Sequence, residues 1–187
     1  MSAPEPRSVL TGHLVPGRLG HPGEPGVTLC ELACDAVEIA ARRGQAEAVR
    51  GRLPASTPEI APGLFFVTTP RQAPGTLAAE LDRDFAGIAS AVDVSSGLVA
   101  LSVAGRDARQ ALAKLCRLDL HPKVFAPGQA ARTVMAQIPT LLIQVDDAPR
   151  FDLFVPTTLA LSFVEHLLHA AAEFGCAIQP CEERQRL

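Results

Sequence analysis

The predicted strands of this chain follow one another with connections that are too short for a parallel crossover. Two apolar stretches, residues 88–94 and 98–104, are separated only by the Ser-Ser-Gly sequence at 95–97. Two more, residues 141–145 and 151–155, are joined by a turn with the sequence Asp-Asp-Ala-Pro. Because parallel neighbours need a dozen or more connecting residues, both pairs predict hairpin-like antiparallel connections. We therefore expect an α+β domain with a mostly antiparallel sheet and helices packed on one face.

The remaining elements continue this mixture of strands and helices. Other strands are predicted at 27–32, 36–41, 64–68 and 131–138, and helices at 45–53, from Thr76, at 106–116 and from Thr157 or Thr158 to Phe174. The last helix has the clearest pattern, because apolar and polar residues occupy opposite faces and a glycine follows its end. Its apolar face consists of Ala160, Phe163, Val164, Leu167, Leu168, Ala171 and Phe174.

The N-terminal 26 residues form a segment that is rich in proline and glycine, with five residues of each type. Proline removes backbone donors and glycine raises the entropy cost of ordering, so this segment cannot fold by itself. We expect an extended arm over 1–26, a single domain over 27–175 and a tail over 176–187. The arm is expected to lie along a partner through apolar anchors at Val9, Leu10, Leu14, Val15 and Leu19.

The charge and aromatic content do not fit a nucleic-acid-binding protein. The net charge is −3, lysine occurs only at 114 and 123, and the chain contains neither Trp nor Tyr. A nucleic-acid-binding surface needs clustered cations, and single-strand binding adds aromatic platforms.

The odd cysteine count and the lack of a signal-peptide pattern predict a cytoplasmic protein with reduced thiols. The apolar runs are too short for a membrane span.

Two sets of side chains have the composition of a metal site. His166 and His169 are three residues apart on the last helix, with Glu165 and Glu173 on the same face. The solvated face of an amphipathic helix has the same pattern, and we favour that interpretation. The cysteines at 30, 34, 176 and 181 lack the usual two-residue spacing of zinc ligands, and together with Cys116 they read as buried or incidental thiols.

Nucleophilic and ligand-binding motifs are also weak. The serines at 90, 95, 96, 102 and 162 do not form a nucleophile elbow, and the glycine pairs near the N-terminus follow no strand. Asp93, at a strand end, could orient a ligand amine, but capping of Ser95 and Ser96 is the stronger interpretation. No catalytic, cofactor-binding or metal-binding residue is therefore predicted on this chain.

Residues 92–125 resemble the central signature of the gamma subunit family of heterotetrameric sarcosine oxidase. The resemblance is carried by Asp93-Val94-Ser95, by Gly105 followed by Asp107-Ala108-Arg109, and by Leu115-Cys116 leading to Leu118-Asp119-Leu120-His121-Pro122. Residues 138–175 continue the same order of segments. The first half is more divergent, because Leu64-Phe65-Phe66-Val67-Thr68-Thr69-Pro70 stands where the family usually carries a tryptophan-rich strand.

The resemblance implies a fold similar to the folate-binding domain of the glycine-cleavage T protein and of the tRNA-modifying GTPase. It implies partners, namely the alpha, beta and delta subunits of a complex that oxidises sarcosine to glycine, reduces oxygen to hydrogen peroxide and transfers the one-carbon unit to tetrahydrofolate. FAD, FMN, NAD and zinc are expected on those other subunits, and none on this chain. The expected role is that of a non-catalytic subunit.

Three alternatives remain open at this point. The complex could demethylate another N-methyl amino acid, as N-methylglutamate dehydrogenase does. The chain could instead be a stand-alone folate-binding protein, on the fold analogy alone. It could also be a metal-dependent enzyme that uses His166 and His169.

Overall fold

A strand of 15 residues organises the fold. The computed structural model describes residues 8–180 and the backbone of 182–183. The strands are β1 Gly17–Leu19, β2 Val27–Ala41, β3 Glu59–Ala61, β4 Leu64–Pro70, β5 Ala89–Asp93, β6 Leu98–Ala104, β7 Ala130–Met135, β8 Ile138–Asp146, β9 Arg150–Pro156, β10 Cys176–Ile178 and β11 Glu182–Glu183. The helices are α1 Ala46–Arg50, α2 Thr76–Asp84, α3 Ala108–Ala113 and α4 Ala160–Ala171.

Strand β2 belongs to two groups of strands. Its first part lies in the first half-sheet, which has the order β1-β10-β2-β6-β9-β8-β7. Its second part pairs with β4 and β5, and β3 adds to β4; these four strands form the second half-sheet. The pairs of β10 and β11 with β2 are parallel, whereas all other described pairs are antiparallel. The sheet is therefore mixed but mostly antiparallel, largely as the sequence predicts.

Three apolar clusters pack the two half-sheets against each other and against the helices. The inner core lies between the half-sheets, where the rings of Phe66 and Phe154 meet edge to face with centroids 4.8 Å apart. A second cluster lies between the first half-sheet and helices α3 and α4, and a third lies between the second half-sheet and helices α1 and α2. Both faces of β2 are therefore buried along most of its length.

The prediction of separate strands at 27–32 and 36–41 was wrong, because β2 runs through both without interruption. Cys30, Leu32, Cys34 and Ala36, on one face, enter the inner core. Leu29 and Val37, on the opposite face, enter the two different outer clusters. Asp35, which lies between the two predicted segments, is buried, and its carboxylate accepts a hydrogen bond from the Gln72 N–H over 2.8 Å. A satisfied polar side chain does not need to end a strand.

The predicted hairpin at 95–97 was also wrong. Strands β5 and β6 both pair with β2, at successive segments, so they lie end to end instead of side by side. The short 3₁₀ segment Ser95–Gly97 lets the chain pass from one half-sheet to the other. The hairpin between β8 and β9 is confirmed by their antiparallel register, and β7 and β8 form another around Ala136 and Gln137, which both have positive φ.

The helix positions agree with the sequence better than the helix ends do. The predicted apolar face of α4 is buried or half-buried, and Gly175 follows with a φ of 69°. The predicted threonine caps were wrong, since α2 has Gly75 at its N-cap and α4 follows a 3₁₀ segment over 157–159. Helix α3 has six residues instead of the eleven predicted over 106–116.

The N-terminal arm contacts the chain's own domain over its described part, from residue 8 onward. Leu10 is 1% exposed within the outer cluster under α3 and α4, and Leu14 packs against the same cluster. Strand β1 pairs with β10, which lies in the segment predicted to be a tail. Strands of three residues are too short to produce a periodic signal, so neither was predicted.

Candidate functional site

The histidine pair lies on the solvent side of α4. His166 and His169 are both exposed, and the Nδ1–H of His166 donates to the carbonyl oxygen of Ser162 over 2.7 Å. The Glu173 carboxylate, on the same face, pairs with Lys114 at 2.7 Å. Among the described residues, no group of three or more His, Cys, Asp or Glu side chains is placed to hold a metal ion. Nor is any described helix long and apolar enough to span a membrane.

The cysteines are distributed over different parts of the fold. Cys30 and Cys34 enter the inner core from β2, whereas Cys176 lies in the cluster under α4. Burial raises the pKa of the Cys116 thiol, and it raises the pKa of the Cys176 thiol to about 11. Both thiols therefore remain protonated at neutral pH, which makes them poor nucleophiles and poor metal ligands. Cys181 lies outside the described residues.

Asp93 caps neighbouring backbone groups, as its sequence context predicts. Its Oδ1 accepts the Ser95 N–H over 2.9 Å, and its Oδ2 accepts the N–H of Gly75, at the start of α2, over 3.2 Å. The hydrogen bond from the Ser95 hydroxyl, followed by the two backbone N–H groups, lowers the pKa of the Asp93 carboxyl against a partial desolvation that raises it. This carboxylate joins α2 to the segment that connects β5 and β6.

A buried polar network was missed by the sequence interpretation. Gln144, with no exposed surface, accepts a hydrogen bond from Arg109 Nη1 over 3.3 Å and donates to the Asp146 carbonyl over 3.1 Å. The Arg109 guanidinium also donates to the Leu120 carbonyl and lies over the Phe151 ring. Arg109 belongs to the recognised signature, and its contacts fix the loop after α3 against the sheet.

An open groove lies where the two half-sheets approach each other. We call it the β3–β7 groove; its volume is about 490 Å³, and it is lined by Glu59, Leu118, Asp119, Val124, Phe125, Gly128, Gln129 and Ala130. The turn that carries Val124 and Phe125 is closed by two hydrogen bonds, because the N–H groups of both residues donate to the His121 carbonyl, over 2.8 and 2.9 Å. Phe125 is 6% exposed, whereas Val124 is 56% exposed.

Three apolar side chains of the arm are exposed. Val9, Val15 and Leu19 are 39%, 59% and 43% exposed, and we call these three side chains the arm face. The last part of the arm is held by backbone hydrogen bonds to the 3₁₀ segment Ala172–Phe174 that follows α4, from the His21 N–H to the Ala172 carbonyl and from the Gly26 N–H to the Phe174 carbonyl, both 2.9 Å. Together with the buried Leu10 and the pairing of β1 with β10, these bonds hold the arm against the domain.

The chain is similar to known proteins in sequence and in structure. No protein-family model matches this chain. Over 88 residues, or 45% of the chain, the sequence is 33% identical to sarcosine oxidase subunit gamma from Corynebacterium sp. (strain P-1). That match spans 41% of the length of the relative, so the chain covers less than half of it.

Similarity of structure extends further along the chain. A chain of heterotetrameric sarcosine oxidase from Corynebacterium sp. U-96, in complex with pyrrole 2-carboxylate, matches 83% of this chain over 88% of its own length, with a TM-score of 0.69 and 25% identity. The glycine cleavage system aminomethyltransferase T from Bartonella henselae matches 80% of this chain over 50% of its own length, with a TM-score of 0.57. At 14% identity, the second match shows the fold alone.

These two levels of similarity confirm the resemblance that residues 92–125 indicated. The sequence match is to a sarcosine oxidase gamma subunit, and the structural match is to heterotetrameric sarcosine oxidase. The expected likeness to the glycine-cleavage T protein is confirmed at the level of the fold.

Proposed function

We propose that this chain is a non-catalytic structural subunit of a heterotetrameric sarcosine oxidase, in the position of the gamma subunit. The observation that supports the proposal most strongly is the structural match to a chain of such an oxidase over 83% of this chain. The 33% identity to a gamma subunit adds the same assignment at the level of sequence. In a multi-subunit enzyme, a chain of this kind contributes buried surface and position, and its neighbours contribute the reacting groups.

The reaction proposed for the whole complex converts sarcosine, tetrahydrofolate and O₂ into glycine, 5,10-methylenetetrahydrofolate and H₂O₂. Its other members would be the alpha, beta and delta subunits, which would carry FAD, FMN, NAD and zinc. The complex would act in the cytoplasm. This chain would take part by stabilising the assembly and not by contacting substrate.

The arm face supplies a physical reason for a subunit interface at the N-terminal arm. A solvated apolar side chain gains about 25 cal/mol for each Å² that it buries on association. Because Leu10 is buried in the domain and β1 pairs with β10, the arm that carries Val9, Val15 and Leu19 is already ordered, and docking there would cost little ordering entropy. Obligate interfaces bury on the order of 2,000 Å² or more in total, so the arm face would be one part of a larger contact.

Co-expression tests the proposed function. A tagged copy of this chain, expressed with candidate alpha, beta and delta subunits, is expected to retain all three through affinity and size-exclusion chromatography. The retained complex should be yellow and should release H₂O₂ when sarcosine is added. A panel of N-methyl amino acids, including N-methylglutamate, identifies the preferred substrate. Failure of the partners to co-purify, or oxidation of sarcosine by this chain alone, would contradict the proposal.

A matched pair of variants tests the arm face in the same assay. Val15→Asp places a charge in the proposed interface and is expected to weaken retention of the partners about tenfold or more, because an unpaired buried charge is costly. Val92→Asp changes a residue of similar exposure, 55% against 59%, on β5 and is expected to leave retention unchanged. Equal retention with both variants would remove the arm face from the interface.

A further inference from the structure

The β3–β7 groove has an apolar interior and an acidic margin. Leu118, Val124, Phe125 and Ala130 supply the apolar part of its lining. The two charged residues that line it, Glu59 and Asp119, are both acidic. The net charge of the chain is also negative, at −3.

Neither acidic side chain is fully neutralised by its own chain. Glu59 has a side chain that is 41% exposed, and its Oε2 lies 3.7 Å from Arg50 Nη2, too far for a strong hydrogen bond. Its Oε1 accepts the Gly63 N–H over 2.7 Å. Asp119 Oδ1 accepts the His121 N–H over 2.9 Å. Each carboxylate keeps acceptor capacity for a further donor, since an ionised carboxylate has about four acceptor positions.

Two edge strands border the groove, each through one lining residue, Glu59 of β3 and Ala130 of β7. Within the described part of the chain, β3 pairs with β4 alone and β7 pairs with β8 alone. These two edge strands lie near each other at the groove. An exposed strand edge carries N–H and C=O groups that can bond to an added extended segment, and neighbouring pockets then select its side chains.

We propose that the β3–β7 groove receives an extended segment of another polypeptide, which inserts an aliphatic side chain against Val124 and Phe125 and places an arginine or lysine between Glu59 and Asp119. This inference rests on the proposed function, because the polypeptide is another subunit of the same complex. The occupant must be basic because both charged groups in the lining are acidic, and it must be extended because strand edges border the groove.

Two substitutions at Val124 test the sign of the charge. The Val124 side chain is 56% exposed and its backbone N–H bond survives substitution, so neither Val124→Lys nor Val124→Glu should unfold the chain. Both replace the branched apolar side chain with a flexible charged one. In the co-expressed complex, Val124→Lys is expected to weaken retention of the partner about tenfold more than Val124→Glu does, and this difference should shrink in 1 M salt.

Equal retention of Val124→Lys and Val124→Glu, or weaker retention of Val124→Glu, would overturn the inference while leaving the proposed function intact. Failure of the unmodified chain to retain any partner would remove both. A photoreactive benzoylphenylalanine at position 124 then identifies the occupant. A cross-link to a partner segment that carries Lys or Arg supports the inference. A cross-link to a second copy of this chain, or no protein cross-link in an assembled complex, overturns it.

Discussion

Gly20 lies so close to Ala172 that a Cβ atom at position 20 would be 1.9 Å from the Ala172 carbonyl oxygen. The same oxygen accepts a hydrogen bond from the N–H of His21 over 2.9 Å. Gly20 also has a φ of +84°, a backbone conformation that residues with a side chain rarely adopt. The close approach of the arm to the end of α4 therefore depends on the absence of a side chain at this position.

Gly20→Ala is expected to detach the arm from α4. The added Cβ overlaps backbone atoms that cannot rotate away, so we expect the free energy of unfolding to fall by about 2 kcal/mol or more. Gly12→Ala is the matched control, because Gly12 has a similar φ of +81° but no atom within 4 Å of the methyl group that alanine would add. Its cost should be about 1 kcal/mol. Urea denaturation gives both values, and limited proteolysis should cut the arm faster in Gly20→Ala alone.

Lys114→Ala is expected to loosen the contact between α3 and α4. The Lys114 ammonium pairs with Glu173 at 2.7 Å, donates to the Ala170 carbonyl over 3.2 Å and lies 4.9 Å from the centroid of the Phe174 ring. Because the pair is partly exposed and screened, the expected loss is only about 1 kcal/mol. Lys123→Ala, at the other lysine, should change stability by less than about 0.5 kcal/mol. Equal effects in urea denaturation would count against a specific role for Lys114.

Asp93→Ala is expected to lower stability in a pH-dependent way. The folded pKa of Asp93 is lowered from 3.8, so the stabilisation by its charged form is present above that value and is lost as the pH falls through the lower folded pKa. The Asp93 side chain is exposed, so the loss near pH 7 should not exceed about 1 kcal/mol. Thermal unfolding of wild type and variant from pH 7 to pH 2 measures this difference. Asp147→Ala, in the β8–β9 turn, is the control; a gap that stays constant or widens in acid would contradict the assignment.

The Cys176 thiol is expected to resist alkylation in the folded chain. Its pKa is raised from 9.0 to about 11, so the thiolate fraction at pH 8 falls by about a hundredfold, and burial limits access further. In a Cys181→Ser background, mass spectrometry should detect iodoacetamide adducts at Cys176 only after unfolding in urea. Comparable rates in buffer and in urea would show that this thiol is accessible in the native state.

The sequence predicts well those features that depend on neighbouring residues. The apolar face of α4, the β8–β9 hairpin and the capping by Asp93 each involve residues within about 20 positions, and each is confirmed. The continuity of β2 could not be predicted, because it depends on partners distant in sequence; for example, Val27 pairs with Cys176. The helix ends failed for a related reason, since tertiary contacts outweigh the intrinsic capping preference of threonine.

The two candidate surfaces, the arm face and the β3–β7 groove, also depend on contacts between residues distant in sequence. The apolar residues of the arm were visible in the sequence, but which of them face outward depends on packing against α4, and Leu10 is buried while its neighbour Val9 is exposed. The β3–β7 groove could not be predicted, because Glu59 and the 118–130 segment meet only after the two half-sheets have formed. Its two acidic residues, Glu59 and Asp119, are far apart in the sequence and line one groove only in the folded chain.

The uninterrupted backbone of β2 has a mechanical consequence. Fifteen extended residues have a contour length of roughly 50 Å, and hydrogen bonds to five other strands brace them along this path. No loop divides the strand, so the two halves have no pivot between them. If one neighbour bound near the arm and another bound beyond Ala41, the continuous strand would hold the two at a fixed distance from each other.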